Sequence, residues 1–168
     1  CSSDLKRTTT ITQSQLCLTN GSRITADNCR FISRLNSCPF VGGTRIFFND
    51  CYFECTDDSL PTSAVYLNCG FGLYASRPFY NTTGTGSVFL NCDFYINHNS
   101  AQYLCKFDGT VTIIDSTFHS YREEQYIGWV PSPGKQLRCY SANITVVREY
   151  EDADGNRQEK TETNYQLD

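Results

Sequence analysis

The chain contains no methionine and a single tryptophan, Trp129. No apolar run approaches the about 18 residues that a spanning helix needs, so a helical membrane span is excluded. No basic stripe is present either. Fourteen Lys+Arg stand against eighteen Asp+Glu, a formal charge of −4, which is not the footprint of a nucleic-acid binder. Ten cysteines include no Cys-x-x-C pair, so a zinc site of the usual spacing is excluded. His98 and His119 have no Ser or Cys at motif spacing, which argues against a hydrolase triad. No signal-peptide pattern stands at the start, and the expectation is that one was removed or never included.

What the chain does have is one phrase written five times: apolar-x-apolar-x-(Asn/Asp)-Cys-x-Phe. It runs Ile24 to Phe31, Ile46 to Phe53, Ala64 to Phe71, Ser87 to Phe94 and Val111 to Phe118. The Cys position is Cys29, Cys51, Cys69, Cys92 and then Ser116, at steps of 22, 18, 23 and 24 residues. A fixed phrase at this interval predicts stacked structural repeats. Its period of two is the strand period. One such strand per copy, all pointing the same way, predicts an all-β, single-stranded parallel β-helix of about five to six coils.

Stacking turns equivalent residues into columns. Phe31, Phe53, Phe71, Phe94 and Phe118 form one, Ala26, Phe48, Tyr66, Phe89 and Ile113 another, and the Cys series a third. All three point inward. Each buried Phe contributes on the order of 1.5–3 kcal/mol. Asn28, Asp50, Asn68, Asn91 and Asp115 read as a polar ladder at a bend, because short side chains that bond nearby backbone suit a corner. A weaker column, Phe40, Phe79, Tyr103 and Tyr126, is missing from the shortest coil. There Cys55 to Pro61 replaces a wall element, and a dent with two carboxylates is expected.

Length suggests one domain. Residues 1–147 form the expected β-helix body, with 11 basic and 11 acidic groups, and residues 148–168 hold three basic and seven acidic groups, hence the whole −4. This tail reads as a hairpin about Asp154-Gly155-Asn156 or as disordered. The Cys column reads as small, weakly polar core filling rather than bridges, since Ser116 takes its last place. Cys1, Cys17, Cys38, Cys55, Cys105 and Cys139 stay open. Asn20, Asn81 and Asn143 head glycosylation sequons. A stack needs capping, and neither end supplies an amphipathic helix, so the expectation is a fragment of a longer solenoid whose open ends meet missing coils or another chain.

Six to eight residues after each Cys position lie Asn36, Asp58, Arg77, Asn99 and Glu123. Loops that keep phase would set them in a polar line. Asp58 beside Arg77 would be a carboxylate held ionised, suited to a nucleophile, or else an ordinary exposed ion pair. Phe79, Tyr80 and Trp129 flank the line as candidate faces for sugar rings; Trp129 is expected to be exposed, whereas Phe79, Tyr103 and Tyr126 also fit the buried wall. Glu54, Asp57 and Asp58 could hold calcium, but no Asp-x-Asp-x-Asp loop supports it, so no cofactor is expected.

From about Gln13 to Asn143 the chain resembles the pectin methylesterases, within the pectin-lyase-like right-handed β-helices. Gln13 through Cys29 looks like that family's Q-A-V-A-L-R stretch, and Cys51-Tyr52-Phe53-Glu54-Cys55-Thr56-Asp57-Asp58 like its C-x-I-E-G-T-V-D segment. The resemblance implies a nucleophilic Asp58 and an oxyanion-stabilising Gln13. Asn36 replaces the family's general-acid aspartate, Leu35 a second glutamine, and Trp129 its late arginine. Arg77-Pro78-Phe79 offers a guanidinium from elsewhere, and Asp57 an alternative proton donor. An amide at 36 cannot donate a proton as a carboxylic acid does. The implied activity is demethylesterification of pectin, an acidic plant polysaccharide, in an extracytoplasmic setting (secreted, periplasmic or cell-surface). The alternatives are a non-catalytic β-helix that binds such a polysaccharide through Arg77, Trp129 and polar neighbours such as Asn36 and Asn99, or a lyase or hydrolase fragment whose site lies elsewhere.

Overall fold

The structure, a computed structural model, describes residues 2–5, 21–33, 44–56, 59–60, 63–79, 86–105, 109–129 and 137–168. Among them every regular element is a β-strand. Each copy of the phrase folds as two strands that break at its Asn or Asp. The first halves are β2 (Ser22–Asp27), β4 (Thr44–Asn49), β6 (Val65–Leu67), β8 (Ser87–Leu90) and β11 (Gly109–Ile114). The second halves are β3 (Arg30–Ser33), β5 (Tyr52–Cys55), β7 (Gly70–Leu73), β9 (Asp93–Ile96) and β12 (Thr117–Ser120). First halves pair with first halves and second with second, always parallel. The fold is thus all-β, and these parallel strands build its two larger sheets.

The break has a local cause. Asn28, Asp50, Asn68, Asn91 and Asp115 all adopt φ between 50° and 54°. That left-handed conformation is costly for most residues and tolerated best by Gly, Asn and Asp. Their side chains also bond along the stack: Asn91 Nδ2 donates to Asn68 Oδ1 at 2.8 Å. The expected corner ladder is present.

Between the sheets lie the expected columns. Phe31, Phe53, Phe71, Phe94 and Phe118 are direct register partners, stacked at 4.6–5.2 Å between centroids. Phe48, Tyr66 and Phe89 stack likewise from the other sheet and meet the first column edge-on, as Phe48 does Phe53 at 89°. Both geometries are favoured aromatic arrangements. The column thiols are free and buried, and each donates to the carbonyl two residues back, Cys69 Sγ to Leu67 O at 3.2 Å for example. Ser116 repeats this with Ile114 O at 2.9 Å. Burial pushes the Cys51, Cys69 and Cys92 thiols up, Cys69 to about 12 and Cys92 to about 11, so these three stay protonated.

A sixth copy follows that sequence reasoning missed. β14 (Leu137–Ala142) pairs with β11 and β15 (Thr145–Glu151) with β12, and Asn143 turns between them at φ 53°. Here Ile144 stands in the Cys place and Val146 in the Phe place. At the opposite end β1 (Ser2–Leu5) pairs parallel with β3.

A third wall differs from expectation. β10 (Gln102–Tyr103) pairs with β13 (Ile127–Gly128), and Phe79 bridges to Cys105. Of the expected column, Phe40 lies outside the described residues and Phe79 stands apart from the tyrosines; Tyr103 pairs in register with Gly128, and its ring meets that of the exposed Tyr126 at 5.4 Å. The intervening loops differ in length, so counting from the Cys loses phase. In the shortest copy the described residues form no strand in this wall, and one backbone bond links it to the next copy. Leu60, buried, donates its N–H to Pro78 O at 2.8 Å.

The strand β15 crosses the expected boundary at 147/148. β16 (Arg157–Glu162) returns antiparallel on it, and Asp152 holds the turn by accepting the N–H groups of Asp154 and Asn156. Of the two expectations for the tail, the hairpin is found. Arg148 is buried, bonded to Glu162 Oε1 at 2.6 Å and to Gln125 O at 3.1 Å. The remaining residues lie across the end of the third wall, where Trp129 N donates to Asp168 O and Tyr165 N to Ile144 O.

Candidate functional site

Strand alternation sends every second residue of the second-half sheet outward. Register aligns them in two rows: Arg30, Tyr52, Gly70, Asp93, Thr117, and Ile32, Glu54, Gly72, Tyr95, His119. Unlike the interior, these rows repeat nothing. A groove of about 700 Å³ is lined by Arg30, Tyr52, Gly70, Asp93 and Tyr95 of these rows, together with residues such as Asp50, Tyr74, Asn97 and Tyr121.

Two glycines lie under Tyr52. A Cβ on Gly70 would meet the Tyr52 ring at 3.1 Å, and one on Gly72 the Tyr52 hydroxyl at 2.5 Å. Glycine inside a strand weakens it and marks a close approach. Here it lets Tyr52 lie against the sheet. Arg30 covers the same ring at 5.4 Å from its centroid. Burial, with Tyr74 and Glu54 nearby, pushes the Tyr52 phenol up to about 12, so it remains a hydrogen-bond donor at neutral pH.

Beside it, the His119 ring stacks on Tyr95 at 4.6 Å and 11°, and its Nε2 lies 2.8 Å from Asp93 Oδ1. A carboxylate only accepts, so an N–H sits on Nε2, and in the ring's neutral form the lone pair is at Nδ1. Both side chains are partly exposed, 29% and 49%. Flat aromatic faces, a phenol donor, a guanidinium and an oriented imidazole can bind a ring bearing hydroxyls. Sequence reasoning missed this pair because the partner lies 26 residues back, on the neighbouring strand. The legible signal was Asp-x-Tyr in one copy above Thr-x-His in the next.

The expected site residues are scattered. Gln13, Asn36, Asp57, Asp58 and Tyr80 lie outside the described residues. Trp129 is buried, 6% exposed, against the expectation of an open face; Ile127 and Leu104 beside it were the apolar context that draws it in. Phe79, 1% exposed, stacks on Phe89 at 4.8 Å and offers no face to a ligand. Arg77 sits at φ 60° with its N–H on Tyr103 O, in the third wall. Asn99 is exposed in the preceding bend, where its carbonyl accepts from Arg122. Arg77 and Asn99 thus belong to different segments rather than to one polar line.

A second groove, about 1090 Å³, opens between residues 121–124 and the β15–β16 hairpin. Five glutamates line it against Arg122 and Arg157. Among the described residues no group of three His, Cys, Asp or Glu side chains is placed to hold a metal ion, and no helix is long and apolar enough to cross a membrane. Compared with protein-family models, with curated proteins and with solved structures, the chain matches none.

Proposed function

We propose that the chain is a right-handed parallel β-helix, and that the outer face of its second-half sheet binds an extended plant polysaccharide of the pectin type. The strict alternation of strand partners between two parallel sheets, with one Asn/Asp corner per copy, supports the winding. One observation carries the binding reading: Tyr52 lies over Gly70 and Gly72 beside the Tyr95–His119 stack, an aromatic floor with polar groups at its edges. Such a polymer is met outside the cytoplasm, so the proposed location is extracytoplasmic.

Charge refines the ligand. Asp50 and Asp93 stand on the groove against one guanidinium, Arg30. Methyl-esterified stretches are uncharged and escape repulsion that free galacturonate would meet. Affinity electrophoresis in gels containing esterified or de-esterified pectin tests this. Retardation by the esterified polymer, lost in Tyr52→Ala and Tyr95→Ala, is expected. No retardation by either polymer removes the proposal.

Esterase activity is the second reading. The observation favouring it is that Leu60, two residues after Asp58, is bonded to Pro78, next to Arg77. Asp58 would attack the ester carbonyl, Gln13 would steady the oxyanion, Arg77 would keep Asp58 ionised, and Asp57 would donate the proton. Methanol release from esterified pectin decides. Wild-type activity unchanged in Asp58→Ala takes Asp58 out of the mechanism.

A further inference from the structure

Cys29, Cys51, Cys69 and Cys92 each point at main-chain carbonyl groups. Cys105 and Cys139 lie outside that column and meet each other: their side chains are in hydrogen-bond contact, thiol to thiol, and Cys139 is also bonded to the Val111 backbone. Cys105 ends the third wall, bridged to Phe79 and bonded through its N–H to Trp129 O. Cys139 lies in β14 opposite Val111 of β11. Cys105 is 1% exposed, whereas Cys139 is half-buried.

We infer that Cys105 and Cys139 are a redox pair, closed to a disulfide by a small-molecule disulfide oxidant and opened again by a thiol reductant. Reach assigns the roles. Cys139, the accessible member, reacts first: its thiolate attacks one sulfur of the oxidant, forming a mixed disulfide and expelling one thiolate. Cys105 then attacks the Cys139 sulfur, and its proton leaves with the second thiolate, which is expelled as a thiol. Two protein thiols are oxidised and one oxidant disulfide is reduced to two thiols. The contact favours this order, because the Cys105 S–H donated to Cys139 draws the Cys139 thiol below its ordinary value and holds Cys105 above. The closed bond fastens the third wall to β14, across a segment that carries β11, β12 and β13. An oxidising compartment would keep it closed.

Oxidised glutathione is the probe. After incubation of the folded wild-type chain, non-reducing digestion and mass spectrometry should give a peptide pair joined through Cys105 and Cys139. Thermal unfolding should start from a higher Tm than in the reduced chain, a difference that Cys139→Ser lacks. Cys105→Ser should stop at a glutathione adduct on Cys139, and Cys139→Ser should leave residue 105 unmodified. Two results overturn the inference. One is wild type, folded by circular dichroism, in which both thiols remain free after oxidation. The other is a linkage of Cys139 to any other cysteine. The wild-type map stands even if a variant fails to fold.

Discussion

The two faces of the second-half sheet share one backbone and obey different rules. Inward, β3, β5, β7, β9 and β12 place phenylalanine on phenylalanine, five strands deep. Outward, the residue just before each of those phenylalanines reads Arg30, Tyr52, Gly70, Asp93, Thr117. Register forces equivalent residues into contact on both faces, yet only the interior responds by repeating. A close-packed interior admits one shape per place, whereas the solvated face accepts any side chain and can therefore gather unlike groups. Chemistry belongs where the repeat breaks.

The sharpest way to break that contrast is a matched pair of truncations. Phe71→Ala removes a ring stacked on both Phe53 and Phe94 and should cost about 3–5 kcal/mol in denaturant unfolding. Tyr52→Ala, on the neighbouring strand but outward, should cost about 1 kcal/mol while abolishing retardation by pectin. Equal stability losses would mean that the outer face is packed like the inner one.

Next in size is the corner between the two sheets. Asn91→Ala places a residue with a poor left-handed conformation at φ 52° and deletes the bond to Asn68. It should cost about 1–2 kcal/mol. Asn91→Gly keeps the conformation and loses only the bond, so it should fall well short of that. Identical losses would show the side-chain ladder, not the backbone, to be what matters there.

A smaller, pH-dependent effect comes from the hairpin. Its hydrogen bond to Arg148, and then that guanidinium's charge, hold the Glu162 carboxyl below the ordinary carboxylate range. A folded-state pKa below the unfolded one stabilises the fold above the unfolded value, and that contribution is lost as pH falls through the folded one. Glu162→Gln should therefore lower stability by about 1 kcal/mol at neutral pH, and the gap to wild type should close on acidification. A gap that stays constant with pH would exclude the linkage.

What could be read from sequence follows the same division. The Phe and Cys columns and the Asn/Asp corner were legible because one residue type recurs at one place in a short, gapless phrase. The copy at Cys139–Val146 was not, since Ile144 and Val146 replace both marker residues. The third wall was misphased because loops of unequal length separate it from the Cys, which is also why Arg77 and Asn99 part company. The Asp93–His119 contact needs a partner from the adjacent strand, diagonal in register, and no linear spacing encodes that. Trp129 was misjudged because a lone aromatic carries no period to say which way it points.

The least damaging change expected in the interior is Cys69→Ser. The single thiol proton is shared between Leu67 O at 3.2 Å and Phe48 O at 3.7 Å, and Ser116 shows a hydroxyl making the equivalent bond to Ile114 O while also accepting from Cys92 N at 3.1 Å. The hydroxyl is smaller and a stronger donor, so lost packing and gained hydrogen bonding nearly offset each other, and the change should stay within about 1 kcal/mol. Cys69→Val keeps the bulk but has no donor, and it leaves the two carbonyls without that bond; it should be the worse of the two by denaturant midpoint. The reverse order would make volume, rather than the donated bond, the reason this place in the phrase is held by cysteine.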